Sequence, residues 1–102
     1  MVKPHFLAKI YFLKLNEGGR ISPIYSGYRP NLKLDTFDFY TCCMLNFIGN
    51  EIVETGVHIN TYCTVLSPQI IKEHVFVGAK FTLCEGPPRI LAHGEIIEVY
   101  EM

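Results

Sequence analysis

The sequence has little charge, no strong excess of one sign and no long apolar run, and each shortage excludes a class of protein. The formal net charge is −1 at pH 7 over 102 residues, so no general electrostatic attraction to nucleic acid is expected. No apolar run reaches the roughly 20 residues that a helix needs to cross a bilayer. Charged residues make up only 19% of the chain, which leads us to expect apolar surface that binds a partner.

Length and the first residues set the domain count and the expected compartment. The 102 residues, 49% of them apolar, are enough for one modest core, so residues 1–102 are predicted to form a single domain. Residues 1–5 lack the apolar segment and cleavage site of a secretory signal. We therefore expect a cytoplasmic protein.

The four cysteines are expected to be reduced structural thiols. Cys42 and Cys43 are adjacent on a predicted strand, so one is expected to face inward and one outward. Neither Cys-x-x-Cys nor His-x₃-His spacing occurs, and no metal or cofactor is predicted. No base or cation is spaced to activate Cys42 or Cys84 as a nucleophile.

Alternating apolar residues predict strands along most of the chain. In residues 6–13, one face carries Phe6, Ala8, Ile10 and Phe12. In residues 57–66, the side chains predicted to face inward are Val57, Ile59, Thr61, Cys63 and Val65. Further extended segments are predicted at 22–24, 31–41, 43–47, 75–77, 79–83 and 90–100.

Glycine and proline clusters separate these strands. Residues 16–19 are predicted to form a turn, because two glycines permit positive φ. Residues 46–54 are predicted to be a connection, and residues 69–74 at most one helical turn. Gly94, within the last strand, indicates a bulge or a close approach of another group. Short strands with this punctuation predict an all-β barrel or sandwich.

Three motifs, in order and at matching spacing, resemble the C-terminal domain (domain 3) of elongation factor Tu. They are Glu17-Gly18-Gly19-Arg20, Gly27-Tyr28-Arg29-Pro30, and Glu85-Gly86 followed by Arg89 and Gly94. The resemblance covers nearly the whole chain. It implies an all-β, six-stranded antiparallel closed β-barrel without catalytic activity.

The resemblance also implies partners. In that family the domain packs against a GTPase domain, helps hold the T-stem of aminoacyl-tRNA and meets the nucleotide-exchange factor. The nucleotide site lies in a different domain, and no Gly-x-x-x-x-Gly-Lys-Ser/Thr loop is present here. This chain alone is therefore expected neither to bind nor to hydrolyse GTP.

Residue by residue, the resemblance assigns roles to two sets of residues. The candidate RNA-binding residues are Asn31, Glu85, Gly86 and Arg89. The residues that carry the fold motif are Gly18, Gly19, Arg20, Gly27, Tyr28, Arg29 and Pro30.

The chain departs from the family where phosphate contacts are expected. Cys84 replaces an Arg, Ser67 replaces a Lys or His, and Asp35 stands where Arg is frequent. Because phosphate binding rests on Lys and Arg, these changes weaken the RNA-binding prediction. Pro87-Pro88 is predicted to stiffen the last loop.

Several motif residues have a structural alternative. Arg20 and Arg29 fit either a phosphate contact or hydrogen bonds to loop carbonyls and acidic neighbours. For Glu85, the alternatives are that its carboxylate accepts a hydrogen bond from a guanine amino group or that it caps its own turn. Tyrosine rings are suited to stacking on nucleic-acid bases. Such stacking usually accompanies an electropositive groove, which the sequence does not indicate.

Two functions from different classes follow. The first is a non-catalytic protein-interaction module linked to translation, with self-association as one form. The alternative is a tRNA- or RNA-binding accessory protein. That alternative requires a set of cations to share one face: Lys33, Lys72, Lys80 and Arg89. Neither a membrane nor a nucleotide is an expected partner, and an enzyme is not expected, because no acid pair or ligand triad is present.

Overall fold

A computed structural model describes residues 3–87 and 89–102 and consists mostly of strands. The strands are β1 (Phe6–Phe12), β2 (Ile24–Tyr25), β3 (Asn31–Leu34), β4 (Thr41–Phe47), β5 (Ile52–Val53), β6 (His58–Val65), β7 (Lys80–Cys84) and β8 (Ile90–Val99). Six of them close into an antiparallel barrel in the order β1-β6-β4-β3-β7-β8, while β2 and β5 pair separately. The predicted fold class is confirmed.

In residues 3–87 and 89–102, helical structure is limited to three short pieces. They are the helix α1 (Pro68–Ile71) and two 3₁₀ turns, Leu15–Glu17 and Lys72–His74. Residues 69–74 therefore make somewhat more helix than the single turn expected. Among the described residues, no helix has the length and apolar character needed to cross a membrane.

The core is filled by the inward faces of the strands. The predicted inner face of β1 is confirmed, since Phe6, Ala8, Ile10 and Phe12 are all fully buried. Phe6 meets Phe81 edge-on at 5.9 Å between ring centroids, a geometry that aromatic pairs favour. The cysteine prediction also holds, because Cys43 is buried and Cys42 is half-buried.

Strand β6 has the predicted inner face except at its start. Thr61, Cys63 and Val65 are buried, and the Thr61 hydroxyl donates to the Ile59 carbonyl at 3.2 Å. Val57 is 42% exposed, so its prediction as an inward residue is wrong. The strand begins only at His58, because the preceding turn at Gly56 has a φ of 84°.

Two predicted strands are interrupted or replaced by turns. Residues 31–41 are not one strand, because β3 ends at Leu34 and the Phe37 N–H donates back to the Leu34 carbonyl at 3.1 Å. Residues 75–77 form no strand either, since the Ala79 N–H donates to the Phe76 carbonyl at 3.0 Å. In both places apolar residues continue past the point where a hydrogen-bonded turn replaces the strand. Conversely, the predicted connection 46–54 contains the end of β4 and the short strand β5.

Gly94 is a close-approach point, as predicted. A Cβ at Gly94 would lie 2.3 Å from Cζ of Phe81, so the Phe81 ring occupies the space that a side chain would need. The register shifts of the barrel lie elsewhere, between Leu7 and Ala8 and between Leu83 and Cys84.

Because neighbouring strands are antiparallel, the connections between them lie at two opposite ends of the barrel. The motif end comprises segment 13–30, connection 48–57 and loop 85–89, and it contains the three sequence motifs apart from Gly94, which lies in β8. The apolar end comprises connections 35–40 and 66–79. The antiparallel order fixes this division, since β1 and β4 end where β6 and β8 begin.

Candidate functional site

At the motif end, one carboxylate joins residues from all three motifs. The Glu85 Oε2 atom accepts from Arg20 Nη1 at 2.8 Å and from the Tyr28 hydroxyl. The Arg20 guanidinium also lies over the Tyr28 ring, 5.5 Å from its centroid, within the range of a cation–π contact. Residues that are distant in sequence are therefore tied together at this end.

These contacts shift two pKa values in opposite directions. The Tyr28 hydroxyl lowers the pKa of Glu85, and Arg20 and Arg89 lower it further against the effect of burial. Burial, followed by the hydrogen bond to Glu85, raises the pKa of Tyr28 to about 12. At neutral pH, Glu85 is thus a carboxylate and Tyr28 a neutral hydroxyl donor, the protonation states that their hydrogen bond requires.

Loop 85–89 is closed by its own backbone. The Glu85 N–H donates to the Arg89 carbonyl at 3.0 Å, and the Arg89 N–H donates to the Gly86 carbonyl at 3.3 Å. The Arg89 guanidinium reaches across to the Gly19 carbonyl at 3.3 Å. The predicted stiffening by Pro87-Pro88 falls partly outside the described residues, because Pro88 is not among them.

The motif glycines and Pro30 have backbone roles. Gly18, with φ of 95°, ends the first 3₁₀ turn, and its N–H donates to the Leu15 carbonyl. Gly19 is buried, and a Cβ there would lie 2.0 Å from the Leu13 carbonyl oxygen. Gly27, with φ of 93°, donates to the Leu45 carbonyl, and the buried Pro30 accepts from the Cys43 N–H at 3.0 Å.

The four candidate RNA-binding residues lie near one another. Asn31 pairs with Cys84, the residue before Glu85, and Gly86 and Arg89 are exposed in the same loop. Arg20 is not available for phosphate in this arrangement, since it forms an ion pair with Glu85. Arg29 lines a different groove on the barrel wall with Cys42, Met44 and other residues.

The four cations that the RNA alternative requires do not share one face. Lys33 and Lys80 lie on the outer faces of the paired strands β3 and β7. Lys72 lies in the second 3₁₀ turn at the apolar end, and Arg89 lies at the motif end. The electropositive surface envisaged in the sequence analysis is therefore divided among three places.

Sequence reasoning missed the apolar end as a surface. Its two connections expose six large apolar side chains: Phe39, Tyr40, Leu66, Ile70, Phe76 and Val77. The connections contact each other, because Thr36 Oγ1 lies 2.8 Å from His74 Nδ1 and the Phe37 ring lies 5.0 Å from the His74 ring. The only signal in the sequence was the apolar composition of residues 69–78.

The described histidine, cysteine and acidic side chains do not form a cluster of metal ligands. Within residues 3–87 and 89–102, no three His, Cys, Asp or Glu side chains are placed to hold a metal ion. Burial raises the pKa of the Cys63 thiol well above its ordinary value, and the neighbouring Cys43 adds to this. A thiol in this setting stays protonated and is a poor nucleophile.

Comparison with known families gives one match. The sequence model described as the elongation factor Tu C-terminal domain matches residues 1–100.

Proposed function

Because this chain belongs to the elongation factor Tu C-terminal domain family, a family of translation-related β-barrel modules, we propose that it is a non-catalytic barrel that binds a protein partner in the cytoplasm. The observation that carries the proposal is the exposed apolar surface at the apolar end.

This surface has the composition expected of a protein contact. Leu66 is 79% exposed and Ile70 is 58% exposed. Both lie in connection 66–79, which contacts connection 35–40 through His74, Thr36 and Phe37. Burial of apolar surface releases about 25 cal/mol per Å². Clustered apolar side chains on a small domain therefore favour association with a complementary surface.

The proposed lack of catalysis rests on the state of the reactive groups. The carboxylate of Glu85 is bound by Arg20 and Tyr28, and the Cys63 thiol is buried with a raised pKa. Neither group is poised to transfer a proton or attack a substrate.

A pull-down from native lysate with the full chain tests the proposal. The test variant is Leu66→Ser/Ile70→Ser, and the control is Ile21→Ser, which changes a side chain that is 78% exposed at the motif end. We expect the wild type and the control to capture the same protein, a GTPase or a ribosomal component, and the double variant to lose it. Equal capture by all three would contradict the assignment to the apolar end.

An RNA-binding accessory role is the second candidate. It is favoured by the proximity of Asn31, Gly86 and Arg89 and by Glu85 Oε1, which neither Arg20 nor Tyr28 occupies. A filter-binding titration over a range of salt concentrations tests it. Contacts to phosphate predict affinity that falls as salt rises, and affinity independent of salt would exclude them.

A further inference from the structure

We infer that a groove on the outer wall of the barrel, away from the apolar end and the Glu85 cluster, is a binding site for a phosphate group. The groove lies across β6, β1, β8 and β7 and has a volume of about 460 Å³. The side chains that define this cationic groove are Lys9, Tyr11, His58, Lys80, His93 and Glu95.

The register of the strands builds the groove from two parallel rows. In one row, Tyr11 of β1 pairs with His58 of β6 on one side and with His93 of β8 on the other. In the other row, Glu95 of β8 pairs with Lys9 of β1 and with Lys80 of β7. Cross-strand partners have Cβ atoms about 4.5–5.5 Å apart, so each lysine adjoins Glu95 and each histidine adjoins Tyr11. The two lysines therefore flank Glu95, and the two histidines flank Tyr11.

The two lysines of the groove are not held in an ion pair. Among the described residues the only ion pair joins Arg20 and Glu85, so neither Lys9 nor Lys80 closes an ion pair with Glu95. Lys9, Lys80 and Glu95 together give the lining of the groove a formal charge of +1, in a chain whose formal net charge is −1.

One wall of the groove is held in place. The Tyr11 hydroxyl donates to Glu17 at 2.7 Å, and the Tyr11 ring lies 4.7 Å from the His58 ring. The Tyr11 hydroxyl is thereby occupied, which leaves the ammonium groups and the imidazole N–H groups as the donors that face the groove.

The number and spread of these donors favour phosphate over a carboxylate. Two ammonium groups and two imidazoles approach from four strands, and a phosphate group offers three or four oxygens to such separate donors. A carboxylate has only two oxygens in one plane. A small phosphate ester and the backbone of RNA both present this group, and the experiment separates the two sources.

The test is a titration of the ¹⁵N-labelled full chain with inorganic phosphate, followed by amide chemical shifts, with acetate at equal ionic strength as the reference anion. We expect saturable shifts confined to the strands around Lys9, His58, Lys80 and His93 with phosphate and none with acetate. Shifts that are absent, equal for both anions or located elsewhere would overturn the inference.

Charge variants make the test quantitative. Lys9→Gln and Lys80→Gln are each expected to weaken phosphate binding about two- to fivefold, the range of a single exposed charge interaction. Glu95→Gln removes the opposing carboxylate and is expected to tighten binding by a similar factor. The control Lys72→Gln removes a lysine at the apolar end and should leave the affinity unchanged. Weaker binding by Glu95→Gln, or equal losses with Lys72→Gln, would contradict the site.

A second arm identifies the source of the phosphate. If a short single-stranded RNA binds the wild type, is displaced by inorganic phosphate and binds Lys9→Gln/Lys80→Gln much more weakly, the groove takes the backbone of RNA. If inorganic phosphate binds and the RNA does not, the groove takes a small phosphate ester. Either result supports the site, and neither depends on capture of a protein partner at the apolar end.

Discussion

The two ends of the barrel use their side chains in opposite ways. At the motif end, Glu85, Arg20 and Tyr28 bond to one another and Arg89 bonds to the Gly19 carbonyl. At the apolar end, Leu66 and Ile70 extend into solvent. The motif side chains Arg20, Tyr28 and Glu85 thus hold the fold, whereas connections 35–40 and 66–79 leave apolar side chains exposed. Exposed apolar side chains occur at the motif end too, at Leu15, Ile21 and Tyr25.

The substitution expected to have the largest effect is Gly19→Ala at the motif end. The new Cβ would lie 2.0 Å from a backbone carbonyl oxygen, which cannot rotate away as a side chain can. We expect destabilisation of about 3 kcal/mol or more, measured by urea unfolding. Gly18→Ala is the matched control, since its Cβ would meet nothing within 4 Å, and positive φ alone costs about 1–2 kcal/mol. Gly19 is not among the glycines with positive φ, so a cost at Gly19 no larger than that at Gly18 would contradict the predicted clash with the Leu13 carbonyl.

Glu85→Gln is expected to have a smaller effect. The amide can still accept hydrogen bonds, so only the charge interaction with Arg20 and Tyr28 is lost. Because the Glu85 side chain is 41% exposed, solvent screening limits the loss to about 0.5–1 kcal/mol. A fall in melting temperature of about 2–8 °C would match this value. An unchanged melting temperature would mean that the cluster contributes nothing to folding.

The same cluster predicts how stability depends on pH. The pKa of Glu85 is lowered from 4.5 in the folded chain, so its contribution is present above pH 4.5 and is lost as the pH falls below that value. The pKa of Tyr28 is raised from 10.0 to about 12, so its contribution is lost as the pH rises from 10 toward 12. Denaturation midpoints of the wild type and of Glu85→Gln should converge at acid pH. A difference that persists undiminished at pH 2 would contradict the assignment.

At the apolar end, substitutions are expected to leave stability nearly unchanged. Leu66→Ser/Ile70→Ser replaces side chains that are mostly exposed, so the change in unfolding free energy should stay within about 0.5 kcal/mol per site. Thermal melts check this directly. A larger loss would show that these residues belong to the core and would remove the distinction between the two ends.

The sequence predicted the barrel because local signals agreed with the fold. Alternation in β1 and β6 and the close approach at Gly94 followed from period-2 patterning and from a glycine within a strand. The turn at 35–40 was missed because the alternation of Leu32, Leu34 and Thr36 runs past the end of β3. Only the hydrogen bond from Phe37 to Leu34 shows that the strand has ended.

The candidate sites were less predictable, because they depend on which strands become neighbours. Asn31, Glu85 and Arg89 were singled out by resemblance, but the bond between Glu85 and Arg20 spans 65 residues of sequence. The cationic groove could not be foreseen either, since Lys9 and Lys80 become neighbours of Glu95 only through the pairing of β1, β8 and β7.

The most direct test compares, in one experiment, how much each end of the barrel contributes to capture of the protein partner. Glu85→Gln and Leu66→Ser/Ile70→Ser are used as bait in parallel at a temperature where both are folded, and the yield of the captured protein is compared with that of the wild type. We predict full capture by Glu85→Gln and loss of capture by Leu66→Ser/Ile70→Ser. Loss of capture by Glu85→Gln with full capture by the double variant would place the binding surface at the motif end and contradict the account.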